Sequence, residues 1–399
     1  MQVVVYILTI TCIGDEMGVV LAVELGATKV RVAKVHFEGS GELSIIKELT
    51  RPISDEYKTS DKGSLFGFIA QCIKDIEPES QIKVGFTFSY PCSLSSRKSG
   101  RLLEWTKDIN VSGCIEKDPV QLLQQELTKI GVNARIVSMC NDSVSTLVAY
   151  SYTHSETAVG VILGSGTNAA YVERVSNISK LKSELTSTNM IVNMEWGNLG
   201  SQDVSILPRS WIDEEIDLCS TNPGKQYLEK LMSGLFLGEL VRLWITHLRK
   251  EGLLLNDVPL SNRLFNERMC FDSSFCSNIL LDDSEEFVEI ESILQSFTIN
   301  RSTVKDRAVI REIVDLVITR SARLMGTCLY TVLSHMMDNG LSGCIGVDGS
   351  VYKFVPGYKS RMLKAMQELG MEGVECGIAH NGSLIGSALI AYSSSIQFV

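Results

Sequence analysis

The chain has 399 residues, 45% of them apolar and 21% charged, and a mean hydropathy of +0.13. This is the balance of a globular protein with a large core, and it excludes a disordered chain or a coiled coil. Thirty-seven basic against 47 acidic residues leave a net charge of −10 with no long run of either sign, so the electrostatic footprint of a nucleic-acid binder is missing. At roughly 100 to 200 residues per domain the length predicts two or three units, and 8 prolines leave little room for long linkers.

In chain order, residues 3–13 form an apolar run followed by Gly14, Asp15 and Glu16. The run is too short to span a bilayer, so stable membrane insertion is not expected. It has the length of a signal-peptide core, with Cys12 and Gly14 as small residues before a cleavage point. It also suits an extra β-strand. Val19 to Val23 reads as a strand, Gly26 and Thr28 as a turn, and Val30, Val32, Val35 and Phe37 as the returning strand, with a phase slip at Ala33. Leu65, Phe68, Ile69, Cys72, Ile73 and Ile76 share a helical face after Ser64, a candidate N-cap. Val84 to Phe88 is a strand. Asp118, Pro119 and Gln121 supply cap, first-turn proline and capping-box partner for the next helix. Arg135 to Cys140 is a strand that runs into Asn141 and Asp142.

The same grammar then repeats. Ala158 to Leu163 is an apolar strand, Gly164 and Gly166 mark a turn, and Ala170 to Val175 returns; a shift of 139 residues lays Thr28 on Thr167. Such an internal repeat predicts two similar lobes. Helices are expected from Pro223 to about Lys250 and from about Val304 to Met337. A strand at Cys344 to Val347, a turn at Asp348, Gly349 and Ser350, a helix after Gly357, a strand near Val374 to Ile378 and a helix from Ser383 close the chain. The 11 cysteines contain no CxxC pair and the 5 histidines show no metal-ligand spacing, so buried free thiols are predicted rather than disulfides or a zinc site.

Glycine turns between strands expose backbone N–H groups that can cradle phosphate oxygens, and three occur, at 26–28, 164–167 and 348–350. Taken singly, each is also an ordinary hairpin turn. Gly164, Gly166 and Ala169 match the dinucleotide fingerprint GxGxxA, but that motif needs a helix directly after the turn and a strand is predicted here. No Walker-type GxxxxGK[ST] is present.

Eight strings taken together resemble eukaryotic hexokinases in content and order: LAVELGATKVRV, GFTFSYPC, LLEWTKDINVSG, CNDSVSTL, VILGSGTNAAY, NMEWGNLG, NPGKQYLEKLMSGLFLGELVRL and IGVDGSVYKFVP. The resemblance runs from about residue 18 to 392, and a short, divergent chain with an apolar leader is similar to the microsporidian branch. It implies the α/β actin-like ATPase (ribonuclease H-like) fold, with mixed five-stranded sheets in two lobes around a cleft. The implied division is residues 17–142 with 384–399 in a small lobe, 143–383 in a large lobe, and 1–16 as leader. It implies ATP-dependent phosphorylation of the 6-hydroxyl of glucose and related hexoses, by a monomer or homodimer.

Sugar phosphorylation needs a base for the hydroxyl proton and groups that steady the phosphoryl in transfer. The resemblance assigns Asp142 as base and Lys107 as the steadying cation. Ser89, Thr106, Lys107, Asn141, Asp142, Asn168, Glu195 and Glu229 fall on the sugar shell. Gly26, Ala27, Thr28, Lys29, Gly164, Ser165, Gly166, Thr167, Gly349 and Ser350 fall on the nucleotide turns. Glu24 stands where relatives hold Mg²⁺ through water with an aspartate. The first turn departs from the family's LDLGGTN at Glu24, Ala27 and Lys29; Lys29 is expected either to support the phosphates or to pair with Glu24. Asp108 departs from a usual glycine. These departures are the features that favour a second reading, a sugar-binding regulator with weakened kinase activity. The leader predicts a mature chain beginning near Asp15 and a secreted protein; an uncleaved segment would leave a cytoplasmic one.

Overall fold

The computed structural model describes residues 16–77, 81–107, 109–179 and 188–393, together with the strand placement of 4–7 and 397–398. The strands in chain order are β1 (Val4–Ile7), β2 (Met17–Leu25), β3 (Lys29–Gly39), β4 (Glu42–Pro52), β5 (Ile82–Phe88), β6 (Cys92–Ser96), β7 (Ser99–Leu102) and β8 (Ala134–Cys140). They continue with β9 (Thr157–Leu163), β10 (Thr167–Arg174), β11 (Asn189–Asn193), β12 (Cys344–Asp348), β13 (Cys376–Ile378) and β14 (Gln397–Phe398).

Two sheets carry the same motif. The first has order β4-β3-β2-β5-β8, with β2, β3 and β4 antiparallel and β5 and β8 added in parallel. The second contains β11-β10-β9-β12-β13 in the same sense, which is the repeat read from the two glycine turns. It is wider than the five strands expected, because β1 and β14 extend it beyond β11. The amino-terminal strand therefore joins the sheet of the far lobe: Val4 pairs with Asn193 and Tyr6 with Ile191. The rest of residues 1–15, Cys12 included, lies outside the described residues, as does Asp108.

The lobes exchange their last helices. Helix Asp142–Thr153 follows β8 of the first sheet yet packs on the second, while Gly382–Tyr392 follows β13 of the second and packs on the first. The two helices cross each other, and the crossing requires glycine. A Cβ on Gly386 would stand 1.9 Å from the Ser145 carbonyl oxygen, and one on Gly85 of β5 would stand 2.1 Å from that of Ser387. Val144, Leu147 and Val148 from one helix and Leu384, Ala388 and Leu389 from the other form a middle core between the lobes. Separate cores fill the outer side of the first lobe and the large helical second lobe. This is the two-lobed actin-like ATPase architecture.

The apparent phase slip at Ala33 is a change of covered face. The β2–β3 register runs without interruption from Met17–Glu38 to Leu25–Val30. Val30 and Val32 face the outer core near the turn, whereas Ala33, Val35 and Phe37 face the middle core farther along. Strand β4 has no clear hydrophobic alternation because it is the sheet edge and is half exposed along its length.

Four helix details differ from expectation. The cap of Lys62–Ile76 is Asp61, whose Oδ1 accepts from the Gly63 and Ser64 amides, and not Ser64. Asp118 caps Pro119–Lys129 as predicted, but its second oxygen accepts from Ser99 Oγ and Gln121 is exposed, so this helix has no capping box. The helix expected from Pro223 starts at Tyr227 and breaks at Ser233, giving Tyr227–Met232 and Gly234–Lys250. The break follows from Gly234 and Leu235 donating their amides to Gly164 and Ser165 carbonyls. The late start puts Glu229 in the first helical turn, not the second. The ten described cysteines are free, and no described helix is long and apolar enough to cross a membrane.

Candidate active site

Between the lobes lies a cleft of about 430 Å³ whose wall gathers segments far apart in sequence. Glu24, Gly26, Ala27, Thr28 and Lys29 come from the β2–β3 turn, and Ser89 and Lys107 from the first lobe. Asp142 lies at a helix start, Gly164, Ser165 and Gly166 at the β9–β10 turn, and Gly349 and Ser350 beyond β12. All three glycine turns thus open on one space. Turns two and three touch: a Cβ on Gly349, whose φ is +126°, would stand 2.1 Å from the Leu163 carbonyl oxygen. The first turn is closed by Gly26 N to the Lys29 carbonyl (3.1 Å) and anchored by Tyr90 Oη to the Gly26 carbonyl (2.9 Å).

Beside the cleft is a cradle of carboxamides and carboxylates. Asn141 caps the helix that starts at Asp142, its Oδ1 accepting from the Ser143 amide at 2.9 Å. Asn168 Nδ2 donates to Asn141 Oδ1 (3.1 Å) and Asn193 Oδ1 (2.8 Å), and Asn193 Nδ2 donates to Glu195 Oε1 (2.8 Å). Glu229 Oε2 accepts from the Thr167 amide (3.0 Å), and Thr167 Oγ1 accepts from Trp196 Nε1 (3.0 Å). Two of these side chains are aimed by left-handed backbone: Glu195 has φ +50° and Lys107 φ +59°, a conformation L-residues adopt at a cost when the surroundings demand it. Lys107 Nζ donates to the Ser89 carbonyl (3.0 Å) and sits 5.7 Å over the Tyr90 ring. Glu229 is fixed from below, because its neighbour Lys230 is buried in an ion pair with Asp217 (2.7 Å). Thr106 is buried immediately before Lys107.

The cradle is electrostatically loaded. Burial, with repulsion from Asp142 and Glu229, lifts the Glu195 carboxyl to about 7 against the pull of Asn193 and Lys107. Burial likewise raises Glu229, opposed by Lys107 and the Thr167 amide. Burial raises Glu24, with Asp348 and Asp142 adding to it and Arg31 opposing. Ser89 Oγ is buried and finds no hydrogen-bond partner among the described residues, which marks a place for a ligand group.

Apart from Thr106, which is buried beside Lys107, the candidate site residues lie in the cleft wall or the adjoining cradle, with two additions and one correction of pairing. Glu24 pairs with Arg31 (3.2 Å), not with Lys29. The strand register sets this: Glu24 is directly opposite Arg31, whereas Lys29 is exposed beyond the last β2–β3 pair. Asp348 was read only as a turn residue, yet its carboxylate lines the cleft and accepts from Lys353 Nζ (2.6 Å). Its signal is the one that marks Asp142, an acid at the end of an apolar strand. Asn193 had no signal beyond its nearness to Glu195.

Among the described residues no group of three or more His, Cys, Asp and Glu side chains is arranged to hold a metal ion. Glu24 and Asp348 facing a phosphate-sized space suit a hard cation that keeps water and phosphate oxygens as most of its ligands.

A polyol cradle abutting phosphate-competent turns, with a buried carboxylate where they meet, has the chemistry of a sugar kinase on the actin-like ATPase fold. Family models described as Hexokinase match residues 1–152 and 158–393. Hexokinase-1 of Schizosaccharomyces pombe is 34% identical over 391 residues, covering 95% of this chain and 80% of that protein. Glucokinase-1 of Saccharomyces cerevisiae is 35% identical over 427 residues, covering 95% and 85%. The solved structure of the hexokinase from Schistosoma mansoni complexed with glucose has a TM-score of 0.88 at 30% identity, covering 95% of this chain and 86% of that one. The chain belongs to the hexokinase family and is an ATP-dependent phosphotransferase.

Proposed function

We propose that the protein transfers the γ-phosphoryl group of ATP to the 6-hydroxyl of glucose and related hexoses, the reaction that opens glycolysis. The observation that carries this reading is Asp142. It is 5% exposed, lines the cleft shared by all three glycine turns, and directly follows Asn141 of the cradle. In this reading Asn141, Asn168, Glu195 and Glu229 hold the ring hydroxyls, with Thr106 beside them, and Ser89 Oγ gains the partner it lacks. The carboxylates accept and the carboxamides both accept and donate, which is what a ring of hydroxyls needs.

Asp142 accepts the proton of the attacking hydroxyl, and Lys107 offsets the charge that develops on the transferring oxygens. The turns around Gly26–Lys29, Gly164–Thr167 and Gly349–Ser350 receive the phosphates on backbone N–H groups. Mg²⁺ bound with the nucleotide supplies neutralisation of phosphate charge. Glu24, acting through water, and Asp348 are the carboxylates suited to hold it. Closing the lobes around the sugar excludes water, a competing acceptor.

A coupled assay of the purified protein with glucose and Mg-ATP tests the reading. Asp142→Ala should lose at least ~10²-fold of turnover, the low end for a positioned base, and still bind glucose through Asn168, Glu195 and Glu229. Intact turnover in that variant refutes the base assignment. The regulator reading is not favoured, since the relatives are hexokinases and glucokinases; Asp142 and Lys107 lining the cleft beside the cradle support the kinase reading. For residues 1–16, the pairing of β1 with β11 supports the reading of this segment as an extra strand of the second sheet.

A further inference from the structure

Arg31 lines the nucleotide side of the cleft, yet every one of its nitrogens already has a protein acceptor. Nη1 donates to Glu24 Oε2 (3.2 Å), Nε and Nη2 donate to Glu48 Oε1 (3.3 and 3.0 Å), and Nη2 also donates to Asn381 Oδ1. A guanidinium grips phosphate through two neighbouring N–H groups. Here one such edge, Nε–Nη2, is taken by Glu48, and the other, Nη1–Nη2, by Glu24 and Asn381. The two carboxylates differ in standing. Glu24 sits on a central strand, and its side chain is 15% exposed. Glu48 sits on the edge strand β4, and its side chain is 33% exposed. Glu48 is the partner an incoming anion can displace.

We propose that Glu48 lowers nucleotide affinity by occupying a phosphate-gripping edge of Arg31 and by presenting its own charge at the cleft mouth. This rests on the nucleotide reading of the cleft given above. Both effects have one sign: an anionic ligand must break the Arg31–Glu48 pair and approach a carboxylate that gains no compensating partner. Neutralising Glu48 leaves the Arg31–Glu24 pair and the Asn381 contact in place, so Arg31 keeps its position while its outer edge is held only by a weaker neutral acceptor in Glu48→Gln and is free in Glu48→Ala.

The test uses the full chain and its Glu48→Gln and Glu48→Ala variants. Dissociation constants for ADP, with and without magnesium, are taken from equilibrium titration, beside KM for ATP and for glucose. Both variants should bind ADP and ATP roughly three- to thirtyfold more tightly, the range between an exposed ion pair and a charged hydrogen bond. The gain should shrink with rising ionic strength, and KM for glucose should not move. Nucleotide affinity that is equal or weaker in both variants overturns the proposal, weaker binding meaning that Glu48 merely orients Arg31. A wild-type chain that binds neither ADP nor ATP overturns the nucleotide reading along with it, so the two failures are distinguishable.

Discussion

Gly166 offers the sharpest test of whether the cradle and the turns work as one site. A Cβ built there would stand 2.4 Å from both Glu229 Oε2 and Lys107 Cε. Ordinary heavy-atom contact begins near 3.5 Å, so each side chain must retreat by about 1 Å. Neither can do so freely, because Glu229 is bound to the Thr167 amide and Lys107 to the Ser89 carbonyl. The backbone at Gly166 does not occupy the left-handed region, so alanine brings no conformational penalty of its own. A misplacement of about 1 Å in reacting groups costs on the order of 10²-fold in rate. Gly166→Ala should therefore lose about 10²-fold of kcat/KM in the glucose assay while its thermal unfolding stays close to that of the parent. Wild-type kinetics in a folded Gly166→Ala protein would refute the claim that Lys107 and Glu229 must hold these positions together.

Other outcomes follow from the same geometry. Glu24→Gln should depress turnover and raise the magnesium requirement with little effect on sugar affinity, and a gain in Glu24→Asp would identify the longer side chain as an imperfect ligand; no change in either would put Glu24 outside the metal shell. The Glu195 carboxyl, lifted by burial to about 7 from an ordinary value of 4.5, holds its proton more tightly folded than unfolded. Its contribution to stability is full below about 4.5 and is lost as pH rises through about 7. Without sugar, Glu195→Gln should flatten that decline and be more stable than the parent at pH 8, by at most about 2 kcal/mol given partial solvent access; chemical denaturation across pH 5 to 8 checks it, and a parallel decline in both proteins removes Glu195 as the cause. Mass spectrometry of the protein from its native cell should find Met1 or Gln2 at the terminus if β1 is kept, and a start near Asp15 would establish export.

Local sequence signals were legible where one residue or one short turn suffices to make structure. The glycine turns, the apolar runs of β2, β5, β9 and β12 and the cap at Asp118 depend on backbone freedom, burial on both faces or a single side-chain oxygen, all visible within a few residues. The match of Thr28 to Thr167 carried the repeat of the two sheets because equal strand orders need equal turns. Strand β4 was not legible, since an edge strand with two half-exposed faces has no hydrophobic period. The break at Ser233 was not legible either: its cause is the carbonyls of Gly164 and Ser165, some 70 residues earlier.

For the site, residue types at strand ends and the resemblance in eight strings marked the base, the cradle and the turns, because chemistry of this kind depends on identity and local placement. Which charge answers which was a tertiary decision. Lys29 and Arg31 are both basic and two residues apart, and only the β2–β3 register sets Arg31 opposite Glu24. Only the return of an edge strand brings Glu48 to Arg31's outer edge, and only the turn after β12 brings Asp348 into the cleft. A side chain's identity is written at one position, whereas its partner is set by strand register and lobe packing, which depend on contacts summed over the whole chain.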